Sequence, residues 1–208
     1  MNRTIQLAMK HALDRLVATV LLCLLSPMLL LIAGAILLES GSPVLFIQVR
    51  VGYEGRTFLM YKFRTMVLGA EQVGLGTTVA VGDDRVTRVG AFLRMWSLDE
   101  LPQLLNVIRG GMSLVGPRPT LEHQVAQYTT FQRRRLEMRP GITGWAQVCG
   151  RNALPWAKRI ELDIWYVDNF TLWLDVEILF RTVGVLLRRE GLYGQGGVND
   201  DFGSKRNV

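Results

Sequence analysis

Asp99 and Glu100 stand side by side in Trp96-Ser97-Leu98-Asp99-Glu100-Leu101-Pro102-Gln103, within a chain that is otherwise apolar and basic. Ionised carboxylates can attack phosphorus or ligate magnesium. A structural use competes with that chemistry. Ser97-x-x-Glu100 matches a capping box, and Asp99 could equally be an N-cap with Pro102 in the first turn. One helix start does not need both acids, however, and a helix N-terminus would hold the pair ionised.

Two further segments suit phosphate. In Gly116-Pro117-Arg118-Pro119 the flanking prolines stiffen the backbone and limit where the guanidinium can go, which fits a fork that must meet phosphate oxygens. The alternative is a rigid turn with a solvated arginine. Tyr61-Lys62-Phe63-Arg64-Thr65-Met66 puts Lys62 and Arg64 on one side if extended, unless it is an edge strand guarded by charge. Arg133-Arg134-Arg135, with Arg139, would spread around a helix and reads as a solvated face. His11 and His123 lack partners at metal spacing and receive no role. Cys23 and Cys149 lie far apart, so no metal cluster or disulfide framework is indicated, and a reducing compartment is expected.

The elements that must hold these groups begin with an apolar run. Residues 16–38 carry no charge, and as a straight helix they would extend about 34 Å against a hydrocarbon core of about 30 Å. The run is too long for a signal-peptide core, and no small-residue cleavage site follows it. Ser26-Pro27 falls at its middle, where proline removes a helical donor and Ser26 can re-satisfy a freed backbone group. Two readings follow: a kinked single-pass helix, or a re-entrant helix that turns at Pro27 and returns to the same face. Arg3, Lys10 and Arg15 precede the run, and Arg50, Arg56, Lys62 and Arg64 follow it. Basic residues on both flanks favour the re-entrant form under the positive-inside rule.

Beyond the run, Val44 to Arg50 and Thr57 to Lys62 read as a small β-hairpin about a turn-rich connection. Residues 69–84 read as a loop able to close over a ligand. Helical segments are expected near 90–96, 99–108, 120–137, 154–168 and 172–189. The predicted fold is α+β and helix-dominated, divided into a membrane helix (1–40), a catalytic body at the membrane surface (41–190) and a mobile tail (191–208) that could fold over a substrate. The last helix carries Leu172, Trp173, Val176, Leu179, Phe180, Val183, Leu186 and Leu187 at helical spacing. It is either a core helix or an amphipathic one in the bilayer interface, where Trp145, Trp156, Trp165 and Trp173 would also be suited.

Composition sets the outer bounds. A chain of 208 residues holds one ordinary domain plus an appendage, and its 49% hydrophobic content is too low for a polytopic membrane protein. The formal charge of +6 favours anionic partners.

Taken together, Ser26-Pro27, Lys62-Phe63-Arg64-Thr65-Met66, Ser97-Leu98-Asp99-Glu100-Leu101-Pro102-Gln103, Gly116-Pro117-Arg118-Pro119 and Arg139-Pro140-Gly141-Ile142-Thr143-Gly144 resemble the monotopic phosphoglycosyl transferases, the bacterial sugar transferase family. The likeness covers nearly the whole chain in the same order, at the length of members that consist of the catalytic domain alone. It implies transfer of a phosphosugar from a UDP-sugar to polyprenyl (undecaprenyl) phosphate, giving UMP and a polyprenyl diphosphosugar. That is the first membrane step of glycoconjugate, exopolysaccharide or lipopolysaccharide assembly, on the cytoplasmic face of the bacterial inner membrane.

The resemblance further implies that Asp99 is the nucleophile of a ping-pong covalent mechanism assisted by Mg2+ at the Asp99-Glu100 pair, with Glu100 as its partner in the role of metal ligand or orienter. Lys62, Arg64, Arg94 and Arg118 would bind substrate, and Asp175 would orient an active-site arginine. The expected partners are the donor, the acceptor and membrane lipid, with downstream glycosyltransferases possible and no nucleic acid. Two departures stand out: Cys149 where relatives usually carry asparagine, and a tail at 196–202 that leaves the sugar unassigned. A membrane-anchored scaffold that uses its basic surface to hold anionic lipid or nucleic acid, with the acids as caps, is the rival reading. Acid-base hydrolysis fits poorly, because its two carboxylates act about 5 Å or more apart from opposite sides of a sugar.

Overall fold

A computed structural model describes residues 2–74, 76, 78–189, 191–192, 194–199 and 202. Helices dominate, with small sheets between them. In chain order the elements are α1 (Arg3–Ser40), β1 (Leu45–Val51), β2 (Thr57–Phe63), β3 (Val79–Ala80), α2 (Arg88–Met95), α3 (Leu104–Ile108), β4 (Ser113–Val115), α4 (Glu122–Ala126), α5 (Thr130–Arg133), β5 (Gly141–Thr143), α6 (Trp145–Val148), α7 (Trp156–Asn169), α8 (Leu172–Arg188) and β6 (Val198–Asn199).

The expected hairpin forms from β1 and β2, in antiparallel register from Leu45↔Phe63 to Val51↔Thr57. Two pairings escaped the sequence reading. β4 and β5 run parallel, and β3 pairs with β6, which ties the loop after β2 to the C-terminal segment. The helix expected at 120–137 is broken. Thr129 Oγ1 accepts from Gln132 N while Gln132 Oε1 accepts from Thr129 N, a reciprocal cap that restarts the helix after Tyr128. The residues of the expected tail at 193, 200, 201 and 203–208 lie outside the described ones; within the described part, Val198–Asn199 form a strand.

α1 is helical at every position through Pro27. Proline cannot donate to the carbonyl four residues back, which here is that of Cys23. Ser26 Oγ donates to Cys23 O at 2.8 Å, so the carbonyl stays satisfied and the helix continues. Among the described residues this is the one helix long and apolar enough to cross a membrane.

Both ends of α1 are fastened to the same body. At the N-terminal end Arg3 Nη2 donates to Val167 O at 2.8 Å, Lys10 Nζ donates to Asp175 Oδ2 at 2.6 Å, and Ser113 Oγ bonds the Asp14 carboxylate. Ala18 then enters the main core with Met60, Leu104, Val115, Tyr166 and Ile178. Toward the C-terminus Ile32 and Ile36 pack on Phe63 and Leu93. Glu39 closes that end, accepting from the free N–H groups of Arg88 (2.8 Å) and Val89 (3.0 Å) at the start of α2. Residues 19–31 between the two anchor regions extend only about 20 Å as a helix.

α8 buries Leu174, Asp175 and Ile178 and exposes the opposite stripe, Trp173, Val176, Phe180, Val183 and Leu187. Trp173 and Phe180 keep 76% and 77% of their surface exposed, so the core-helix reading holds for one face only.

Candidate active site

Lys62, Arg94, Arg118 and the dyad are each delivered by a different element, and backbone contacts fix the elements relative to one another. Lys62 sits on β2 opposite Phe46. Arg94 is in the last turn of α2, whose start is capped by Thr87 Oγ1 accepting from Gly90 N at 2.9 Å. Arg118 follows β4 in a loop held by close backbone packing. A Cβ at Gly116 would lie 2.3 Å from Arg139 O, and one at Gly141 would lie 2.1 Å from Gly116 N. No side chain fits there, so glycine at both places is what lets the two proline-bearing loops touch and aim Arg118.

The dyad lies in a tight 3-10 turn, Leu98–Gln103. Ser97 enters it with φ 55 and ψ 25, the left-handed region, and makes no side-chain cap; its Oγ accepts from Arg151 Nη2 at 2.9 Å. The capping-box alternative is therefore absent. The strained entry residue instead turns both carboxylates toward the cations.

Glu100 is the hub. Its Oε1 accepts from Lys62 Nζ at 2.7 Å and from Arg118 Nη2 at 2.6 Å, with Arg118 Nη1 at 3.4 Å from Oε2. Burial by itself would raise this carboxyl, but Arg118 and Lys62 hold it well below the usual carboxylate range. Asp99 is engaged far more loosely, with Oδ2 3.9 Å from Lys62 Nζ. Burial raises its carboxyl above the ordinary value; Lys62 opposes the rise and the Glu100 charge reinforces it. One acid is thus locked between cations, and the other is left with its electron pairs available.

Arg94 Nη1 lies 3.4 Å from Thr65 Oγ1 and lines the same cavity as the dyad. Arg64 lines an adjoining cavity with Lys62, Arg94 and Asp99, but its guanidinium is turned to the end of α1. It is 5% exposed and caps the end of α1, donating from Nη2 to Ser40 O and Ser40 Oγ at 2.7 Å and to Gly41 O at 2.6 Å. Asp175 also lies apart and corrects the expectation that it orients an active-site arginine: its carboxylate accepts from Lys10 Nζ and, at 2.6 Å, from Tyr166 Oη. It joins α1 to α8, because a lysine buried under a helix needs a buried carboxylate to face it.

The acid that orients a site arginine is Asp163. It bonds Arg135 Nη2, which also donates at 3.0 Å to the backbone carbonyl of Arg118, and both side chains of the pair are 2% exposed. Arg135 was expected on a solvated face; Arg133 is exposed and Arg134 meets Asp168 at the surface, but Arg135 turns inward. The available signal was an acid on an apolar stripe, since Ile160, Asp163, Ile164 and Val167 share one side of α7. Arg151 was missed as well; it lies in a short turn of positive φ whose direction no pattern gives.

Three cavities reach the dyad, one of them a space of about 430 Å³ beside the β-hairpin that is lined by Lys62, Arg64, Arg94 and Asp99. A polar one of about 370 Å³ is lined by Lys62, Arg94, Asp99, Glu100, Arg118 and Arg151, and it reaches Val79 and Asn199 on the paired strands β3 and β6. An apolar one of about 220 Å³ lies between α1 and α8, with Leu21, Leu25, Leu104, Ile142, Leu179 and Leu186. Ser97, Glu100, Arg118 and Arg151 line both the polar and the apolar one.

The model of the family described as "Bacterial sugar transferase" matches residues 5–189. An uncharacterized sugar transferase, EpsL, of Bacillus subtilis is 47% identical over 88% of this chain and 90% of its own length. A UDP-N-acetylgalactosamine-undecaprenyl-phosphate N-acetylgalactosaminephosphotransferase of Aeromonas hydrophila is 45% identical over 86% of this chain. An undecaprenyl-phosphate galactose phosphotransferase of Salmonella typhimurium is 39% identical over 89% of it. This chain spans 43% and 42% of the length of those last two.

Proposed function

The chain belongs to the bacterial sugar transferase family, and on that premise we propose that it moves a phosphosugar from a UDP-sugar to polyprenyl phosphate, releasing UMP. The observation that carries this reading is the shared wall of the polar and apolar cavities. A soluble dianionic donor suits the cation-lined polar cavity, and a lipid-linked acceptor suits the apolar one between α1 and α8. Glu100 and Arg118 stand between them, within reach of both phosphates.

In the first step an Asp99 carboxylate oxygen attacks the phosphorus that bears the sugar. An aspartyl phosphosugar bond forms, the bond to the UMP oxygen breaks, and UMP leaves with the electron pair. In the second step an oxygen of the acceptor phosphate attacks the same phosphorus and Asp99 departs as carboxylate. No proton need be gained or lost, which suits a site whose partner acid is held permanently ionised. Lys62, Arg94, Arg118 and Arg151 offset the charge that gathers on the bridging and leaving oxygens.

Magnesium suits this donor set, since it takes one or two carboxylates together with substrate phosphates. Asp99 is loosely held, and Glu100 Oε2 has only the 3.4 Å contact to Arg118, so these two would hold the ion. Bound there, it would supply charge neutralisation on the diphosphate. Purified protein with undecaprenyl phosphate, magnesium and a panel of UDP-sugars should release UMP, and EDTA should stop the release. Release from no donor overturns the transferase reading; release that survives EDTA overturns the metal.

Rate should fall on the acid side as Asp99 protonates, because only the ionised carboxylate can attack phosphorus. A pH profile of UMP release with no acid limb would contradict the assignment.

We place the body on the cytoplasmic face of the inner membrane, with α1 re-entrant. Its two anchor regions hold the same body, and the roughly 20 Å between them is short against a core of about 30 Å. The apolar stripe of α8, with Arg181, Arg188 and Arg189 on the same helix and its end, suits the interface. Cysteines placed at Asn2 and at exposed Lys158 should label from the same side of intact cells; labelling from opposite sides means a spanning helix.

A further inference from the structure

Behind Arg118 the floor of the polar cavity opens into a recess of about 50 Å³, lined by Gln147, Arg151 and Asp163 among others. Four buried polar atoms there have no hydrogen-bond partner: Gln147 Oε1 and Nε2, Arg151 Nη1 and Asp163 Oδ1. The Asp163 residue is 1% exposed, and its other oxygen is spent on Arg135. Burial pushes this carboxyl up to about 6 against the pull of Arg135, so it is an anionic acceptor at neutral pH.

Unpaired buried groups are costly, and four of them facing one recess mark the place of an absent hydrogen-bonding occupant. The recess offers two acceptors and two donors, the mixture that a sugar hydroxyl satisfies because it both gives and takes a hydrogen bond. Arg118, Arg135 and Arg159 also line the recess, so its charge does not by itself choose between a hydroxyl and a phosphate. Position argues further. Arg118 and Arg151 line the recess and also face the dyad, so a group in the recess is one short step from the phosphorus under attack. In a UDP-sugar the hexose is joined to that phosphorus through a single oxygen, whereas uracil lies beyond a second phosphate and the ribose. The volume accommodates the hydroxyls along one edge of a hexose but not a pyrimidine ring.

We propose that Gln147, Arg151 and Asp163 form the subsite that reads the hydroxyl pattern of the donor sugar and so sets which UDP-hexose is accepted. This rests on the transferase reading and deepens it by assigning specificity to residues outside the dyad. Gln147 is the residue to test. It is half-buried and carries no charge, and Gln147→Leu keeps its bulk while removing both amide atoms. Replacing unpaired polar atoms by carbon should leave the melting temperature of the ligand-free protein unchanged or higher.

The full-length protein in nanodiscs is titrated with UDP alone and with a panel of UDP-hexoses and UDP-N-acetylhexosamines, and kcat/KM is measured for every donor that turns over. In Gln147→Leu the preferred donor should lose about 5- to 150-fold in affinity and in kcat/KM, while UDP alone stays within about 2-fold. The ratio between the preferred donor and its hydroxyl epimer should shrink accordingly. An unchanged ratio means that the recess holds water only and overturns the proposal; an equal loss for UDP places the uridine there and also overturns it. Should Gln147→Leu fail to fold, Gln147→Asn, which draws the amide back by one carbon, is held to the same outcomes. The binding arm needs no turnover, so a wild-type protein that binds UDP-sugars but releases no UMP would fail the transferase reading and still report on the recess.

Discussion

Asp99→Asn should abolish UMP release. The amide matches the carboxylate in shape but brings no anionic oxygen to phosphorus, and loss of a nucleophile costs on the order of 10³-fold in kcat or more. The fold should hardly notice. Among the described residues the closest ion pair of Asp99 is the 3.9 Å approach to Lys62, while Glu100 keeps both of its cations, so the melting temperature should stay near that of the parent. Intact-mass measurement after exposure to a UDP-sugar without acceptor should find a phosphosugar adduct on the parent protein and none on the variant. Full turnover by Asp99→Asn would remove the covalent mechanism altogether.

Asp163→Ala should be the opposite kind of variant, folding-defective before it is inactive. It leaves the Arg135 guanidinium buried beside Tyr128 and the Arg118 carbonyl with no anion to face. Breaking a buried pair from one side costs about 3–5 kcal/mol. For a chain of this size that corresponds to a melting temperature lower by roughly 6–20 °C. Removing both members, as Asp163→Leu with Arg135→Met, should recover much of the loss, because the uncompensated charge is what destabilises. Thermal melting of the single and double variants in one detergent checks this. A single variant within about 1 kcal/mol of the parent would mean that water reaches the pair.

These outcomes depend on parts of the protein that were unequally legible in its sequence. The hairpin was readable because two β-prone runs flank a turn-rich connection, and the register then put Lys62 on β2. The dyad was readable because two adjacent acids are conspicuous in a basic chain. Its setting was not: Ser97 looks like a cap by type and spacing, yet it has a positive φ and its hydroxyl accepts from Arg151, which is distant in sequence. The same limit hid the pairing of β4 with β5, whose short runs carry no periodicity and whose contact rests on glycines that approach backbone to backbone. Asp175 and Asp163 illustrate the point most plainly. Both are acids on apolar helix faces, and only the tertiary fold decides that one meets Lys10 and the other Arg135.

Glu39 closes α1 against the start of α2, and the helix it receives carries Arg94 in its last turn, with Leu93 packed against Ile32 and Ile36. The long apolar helix and the helix that bears one of the cavity's cations are thereby joined at a single carboxylate, so the place of Arg94 is set from α1.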